Sequence, residues 1–374
     1  MPLALLVFGL LMFVALVVVH EWGHYIAARR NGIEVEEFGI GFPPKAKTIT
    51  KRHGTEFTLN WLPLGGFVKL KGEHDADTEP GTYGAARLPA KVKVMLAGVG
   101  MNLLVAFVLL TILAVTGMPK IIDNQFTVSS DTQIISQDVL VGAVADDSPA
   151  AKAGLEQDDE LVSVGAPGQT PVVVVSSSEF PGVTRQFAGQ TVEVMYVRDG
   201  EQRVASATLE SAAAVEASRS TDDPKGYLGI IPSDYVIQRS TWSAPVVAVG
   251  FIGQATVQTL DGLGSALGNL FTGNAAKAGE QVSGPVGIFG VLKRGSELGL
   301  GFVLMIIALI SLTLAIMNAL PIPALDGGRL FVTLLYRALR KPLTPKAEER
   351  IHGTGFALLM ILFLVITIVD VKRL

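Results

Sequence analysis

VVVHEWGHYIAA, residues 17–28, is the point on which the architecture of this chain turns. An uncharged run extends from Met1 to Val19, and His20, Glu21 and His24 then interrupt it. From Leu3 to His20 a helix rises about 26 Å, against a hydrocarbon core of about 30 Å, so these ionisable groups fall toward one end of a membrane span. Charged groups at that depth cost a few kcal/mol (roughly 2–4) unless paired, and they usually mark function.

Composition agrees with a membrane setting. The 374 residues are 49% hydrophobic and 17% charged, with a mean hydropathy of +0.45, too apolar for an ordinary soluble enzyme. A net charge of −4 gives no basic footprint for nucleic acid. Without cysteine there are no disulfides, thiolate ligands or thiol nucleophiles, so any metal must be held by histidine and carboxylate.

Three more uncharged windows follow the first: 94–119, 298–325 and 351–369. Each can cross a bilayer, which predicts four spans. Eleven Lys or Arg lie in 29–93 and six in 326–350, so the positive-inside rule makes both segments cytoplasmic. The acid-rich loop 120–297 and both termini then fall outside. MPLALL lacks a basic n-region and HEWGH replaces a small-residue cleavage site, so a removed signal peptide is not expected. Residues 244–271 compete as a fifth span, but a crossing there would carry the basic loop outside. That segment reads as an amphipathic interfacial helix with Leu260, Leu263, Leu267 and Leu270 on one face.

Within the outer loop, 125–232 alternates short β-type runs with helical ones. SPAAKAGL has Ser148 as N-cap, Pro149 at the first helical position and Gly154 at the end. The expectation is a compact α+β domain. VGAVADDSPAAKAGLEQDDELVSVG is similar to a PDZ pattern, with Asp158 and Asp159 where Gly-Asp is usual. GYLGI, comprising Gly226, Tyr227, Leu228, Gly229 and Ile230, resembles a PDZ carboxylate-binding loop. A small spacer domain is the alternative.

His20 and His24, four residues apart, share one helical face with Glu21 beside them. This H-E-x-x-H spacing suits Zn²⁺, with Glu21 as general base. A polar cluster between helices is the plainer reading. Catalytic zinc usually takes three protein ligands, and spans one and three end on the same side. There MNALPIPALDGGRL offers Asp326, which otherwise reads as a helix cap without a capping box. His53, His74 and His352 are rival ligands better explained by turns or interfaces.

HEWGH in a first span, the PDZ-like loop, and Asn318, Pro321, Pro323 and Asp326 in NALPIPALDGG together resemble the PDZ-containing bacterial branch of the site-2 protease family. The resemblance covers nearly the whole chain. It implies one Zn²⁺ on His20, His24 and Asp326, with Glu21 as base. It implies a polytopic α-helical membrane protein of the bacterial inner membrane: four transmembrane helices, a membrane-associated β-hairpin region at 29–93 on the cytoplasmic side, and an inserted extracytoplasmic PDZ-like domain. Substrates would be single-pass membrane proteins already trimmed by another protease, such as anti-sigma factors, and leftover signal peptides. SGPVGI at 283–288 agrees with the family. AGVGMN, 97–102, departs from its A-G-P-x-x-N, and Asn102 reads as interhelical packing.

A helical substrate must be opened before cleavage, because its backbone is already paired. Phe57, Leu59 and Trp61 alternate, and the chain returns at Gly65-Gly66 through Val68 and Leu70, which predicts a hairpin whose edge holds extended substrate. Its alternative is a structural sheet. Pro321 and Pro323 should leave the carbonyls of Met317 and Ala319 without their usual donors, and Asn318 could hold unwound substrate there. A metal transporter would show several polar spans, and a PDZ adaptor gives no reason for Glu21.

Overall fold

The computed structural model describes residues 2–221, 224–272 and 284–372, and the chain divides into two units. The first comprises Met1–Thr116, Gln125–Val128 and Thr241–Leu374, and the second Gly117–Asn124 and Ser129–Ser240.

In the first unit α1 (Pro2–Arg30) and α2 (Leu88–Thr116) run antiparallel. Gly23 of α1 meets Ala97 and Met101, and His20 lies beside Asn102, further along α2 than Gly98 beside His24. A Cβ at Gly23 would lie 2.5 Å from the Ala97 carbonyl, so glycine permits the close crossing. A further long helix, α6 (Ala244–Phe271), precedes α7 (Pro285–Leu298), α8 (Leu300–Ala319), α9 (Asp326–Ala338) and α10 (Pro345–Lys372). α8 runs parallel to α1, with Val303 near Gly9.

Among the described residues five helices are long and apolar enough to cross a membrane, one more than the expected four. The fifth, Ala244–Ala266, has the lowest mean hydropathy, 1.2. α6 packs on α2 and α8 and buries Ala244, Val247, Ala248, Phe251 and Ala255. This is a different stripe from the leucine face: Leu260 is exposed and Leu263 half-buried, while the side chains of Leu267 and Leu270 lie outside the described residues. SGPVGI is explained by docking. Gly287 N–H donates to Asp370 Oδ2 at 2.8 Å, and Gly284 is pressed against Asp370 and Ile366 of α10; Ser283 lies outside the described residues.

β1 (Val35–Arg52) and β2 (Thr55–Leu70) pair with each other and turn at His53-Gly54. The expected hairpin, in which 57–61 returns directly on 68–70, does not form. Residues 37–40 of β1 pair with both runs of β2, Phe38 standing opposite both Phe57 and Val68. Phe57 and Phe38 meet Tyr25 of α1 edge to face, which anchors the sheet to that helix. Leu59 and Trp61 are exposed.

The second unit is α+β. Its sheet runs β3 (Met118–Pro119), β9 (Ile230–Arg239), β4 (Gln133–Val144), β5 (Glu160–Gly165), β7 (Thr191–Arg198), β8 (Glu201–Thr208), with β6 (Val172–Val173) on β5. Helices α3 (Pro149–Lys152), α4 (Phe180–Gln186) and α5 (Ala212–Ser218) complete it. The unit begins before residue 125 and ends after 232, because β9 continues to Arg239 and pairs there with Met118–Pro119. Ser148 caps α3 by accepting from Ala151 N–H. Buried Asp159 binds Arg198 and the Glu156 N–H, which holds the turn before β5. In GYLGI, Leu228 is buried, its carbonyl accepts from Ala150 N–H at 2.9 Å, and Gly229 is at φ +78°.

Candidate metal centre

Three chain segments converge where α1, α2 and α9 meet. His20 and His24 lie one turn apart near the C-terminal end of α1, both buried. Asp326 opens α9, just past the broken end of α8. Its Oδ2 is 3.1 Å from Nε2 of each histidine, and the two Nε2 atoms are 3.2 Å apart. Donors bound at 2.0–2.1 Å in a tetrahedron stand about 3.3 Å from one another, so the spacing matches a zinc tripod.

Both Nε2 atoms are turned toward Asp326. His24 Nδ1 lies 2.7 Å from the Val94 carbonyl, an acceptor that requires the ring proton on Nδ1. In the neutral ring the Nε2 lone pair then faces Asp326 and His20. Two histidines and one carboxylate whose nearest atoms gather at one point are a donor set suited to zinc.

α2 supplies what the sequence reading missed. A Cβ on Gly98 would lie 2.5 Å from His24 Nε2 and 2.6 Å from His20 Nε2. Asn102, one turn on and fully buried, has Nδ2 3.2 Å from His20 Nδ1. Its Oδ1 has no hydrogen-bond partner, and a carboxamide turned over would accept Nδ1–H and leave Nε2 free for metal. Asn102 is therefore more than interhelical packing, and the Gly98–Asn102 spacing, which puts both on one face of α2, was the available signal.

Glu21 lines the same cavity of about 400 Å³ as His20, His24 and Asp326. Val68 of β2 lines it too, and Gly66 lets β2 approach: a Cβ there would lie 3.2 Å from Glu21 Cγ. Gly65, Gly66 and Asn318 also line this cavity, whereas Phe57, Leu59, Trp61, Pro321 and Pro323 are not among its walls. Pro323 instead packs on Gly355 of α10.

The helix break differs in detail from expectation. The Met317 carbonyl is not orphaned by Pro321, because Leu320 N–H donates to it at 3.2 Å in a tightened last turn. The rival histidines are accounted for. His53 occupies a turn at φ +51°, His74 is within 3.8 Å of Glu348 and 3.6 Å of Glu349, and His352 Nδ1 accepts from Ala324 N–H.

The sequence pattern that defines peptidase family M50 matches residues 8–362. The chain is 31% identical to a Clostridium perfringens protein provisionally named a zinc metalloprotease, covering 98% of both. It is 27% identical to the zinc metalloprotease RasP of Shouchella clausii, over 97% of both, and 27% identical to RasP of Oceanobacillus iheyensis, over 98% of both.

Proposed function

Because the chain belongs to peptidase family M50, the site-2 proteases, and is a zinc metalloprotease of the membrane, we propose that His20, His24 and Asp326 hold its zinc and Glu21 is its general base. The observation that carries this is the convergence of the three ligand atoms, within 4.8 Å of one another, in one cavity with Glu21.

A zinc ion held there supplies Lewis acidity, polarising the scissile carbonyl and lowering the pKa of bound water. Glu21 takes the proton of the attacking water and delivers it to the leaving amine. Two neutral imidazoles with the carboxylates of Asp326 and Glu21 balance a divalent ion, which makes burial near hydrocarbon tolerable. The run 65–68 of β2 borders the cavity, and an extended substrate adding to it would bring its backbone beside Glu21. Asn318 offers a carboxamide to the same segment. Leu59 and Trp61 read as lipid contacts.

The topology we propose has four crossings. α1 and α8 both end at the metal side and α2 starts there, so the chain between α2 and α8 begins and ends on the opposite side. That stretch must contain an even number of crossings. α7, at 14 residues, spans about 21 Å and is too short to bring α6 back. α6 therefore lies along the extracytoplasmic face, the basic segments 29–93 and 326–350 are cytoplasmic, and the insert, joined at the far end of α2, is an extracytoplasmic PDZ-like domain. Its Gly226–Ile230 loop would read the new chain end of a single-pass substrate trimmed by another protease, anti-sigma factors and remnant signal peptides being the classes the family resemblance implies.

Purified Glu21→Gln should retain zinc and lose cleavage of truncated membrane peptides, while Asp326→Asn should lose both. Full zinc content in Asp326→Asn would remove that residue from the ligand set.

A further inference from the structure

α9 carries Asp326 at its first position, in a turn that packs on the backbone of Ala319–Pro323 but has no side-chain cap. The preceding residue, Leu325, has no side chain able to cap it, and none does. Arg329 N–H closes the turn on the Leu325 carbonyl at 2.9 Å. Asp326 and Arg329, three residues apart, thus share one side of a rigid turn. A rotation that displaces one displaces the other.

Arg329 is held from outside its helix. Its Nη2 donates to the Glu73 carbonyl at 2.9 Å, its Nε lies 3.7 Å from Glu348 of α10, and the guanidinium stands over the Tyr83 ring at 5.4 Å. The other cation on that ring is Lys91, wholly buried and paired with Asp75. Asp75 N–H donates to Glu348 Oε2 at 3.0 Å, which closes the circuit. Burial pushes the Tyr83 hydroxyl up to about 12, so the ring between the two cations stays uncharged. Glu73 Oε1 also accepts from Leu70 N–H at the end of β2. The cluster therefore joins β2, the 71–91 segment, α9 and α10 around one guanidinium.

We propose that Arg329 is a positioning residue: by tying the first turn of α9 to the 71–91 segment it holds the Asp326 carboxylate against the two histidines. The inference rests on the zinc tripod proposed above. A lysine keeps the charge but cannot reach the Glu73 carbonyl, Glu348 and the ring face with one planar fork.

The test is zinc affinity of the full-length purified protein by chelator competition, with thermal unfolding of the metal-free form measured alongside. Arg329→Gln should weaken zinc binding by about 10- to 100-fold, as loss of an outer support to a metal ligand does, and Arg329→Lys should fall between it and the parent. Glu348→Gln, which leaves α9 untouched, should weaken zinc in the same direction, and the double variant less than the product of the two. Unchanged zinc affinity in Arg329→Gln would overturn the proposal, as would independent effects of the two substitutions. If Arg329→Gln fails to fold, Glu348→Gln decides alone: parental affinity in it overturns the proposal. Failure of the tripod itself would look different, because Asp326→Asn would then keep its zinc.

Discussion

A methyl group on Gly98 would lie 2.5 Å from the nearer imidazole nitrogen, so α2 can back the histidine pair only because that position has no side chain. Two residues further on, a Cβ at Gly100 meets nothing within 4 Å. Gly98→Ala should therefore lower zinc affinity at least about tenfold, at an overpacking cost of about 1–3 kcal/mol. Gly100→Ala should leave zinc content unchanged, with metal analysis of the two purified variants as the check. Equal zinc in both would mean that α2 does not press on the site. His20, Glu21 and His24 were legible from sequence because their spacing is a property of one helix. Asn102 was legible only through its spacing from Gly98, since it otherwise looks like any polar group in a span, and Arg329 was not, since it looks like a cytoplasmic cation.

Among the elements, β2 shows most clearly how tertiary contacts override local pattern. Alternation at Phe57, Leu59 and Trp61 correctly signals a strand, but Phe38 of β1 stands between the runs that were expected to meet. Its aromatic contacts with Tyr25 and Phe57 come from residues distant in sequence. The Gly65-Gly66 pair, read as a turn, instead lets the strand pass the cavity that Glu21 lines. Gly66→Val would place branched carbon against Glu21 Cγ and the Gly39 carbonyl. The expected result is retained zinc with cleavage reduced by about a hundredfold, the scale of a small misplacement of reacting groups. Parental turnover in this variant would take β2 out of the substrate path. In α9, Gly327 and Gly328 follow Asp326 because the helix start abuts the backbone of Ala319–Pro323; the Asp-Gly-Gly run is a packing requirement as well as the carrier of the proposed ligand.

For the whole molecule the decisive question is which segments share a side of the membrane, and a chain without cysteine is well suited to answering it. Single cysteines at the exposed positions Lys51, Asp199 and Asp261, probed with a membrane-impermeant maleimide on intact cells, should label at 199 and 261 and stay protected at 51 until the cells are lysed. Protection at 261 would mean that α6 crosses the bilayer, and labelling at 51 would invert the proposed orientation.

The sequence by itself determined the membrane class, the apolar helices, the inserted α+β unit and the residues of the candidate tripod, because hydropathy, charge asymmetry and i, i+4 spacing are written within short stretches. Tertiary structure alone decided that Gly98 and Asn102 back the histidines, that β1 divides the two runs of β2, and that Arg329 anchors the turn bearing Asp326. Each of these depends on contacts between segments tens to hundreds of residues apart, where no periodicity in the chain records which surfaces will meet.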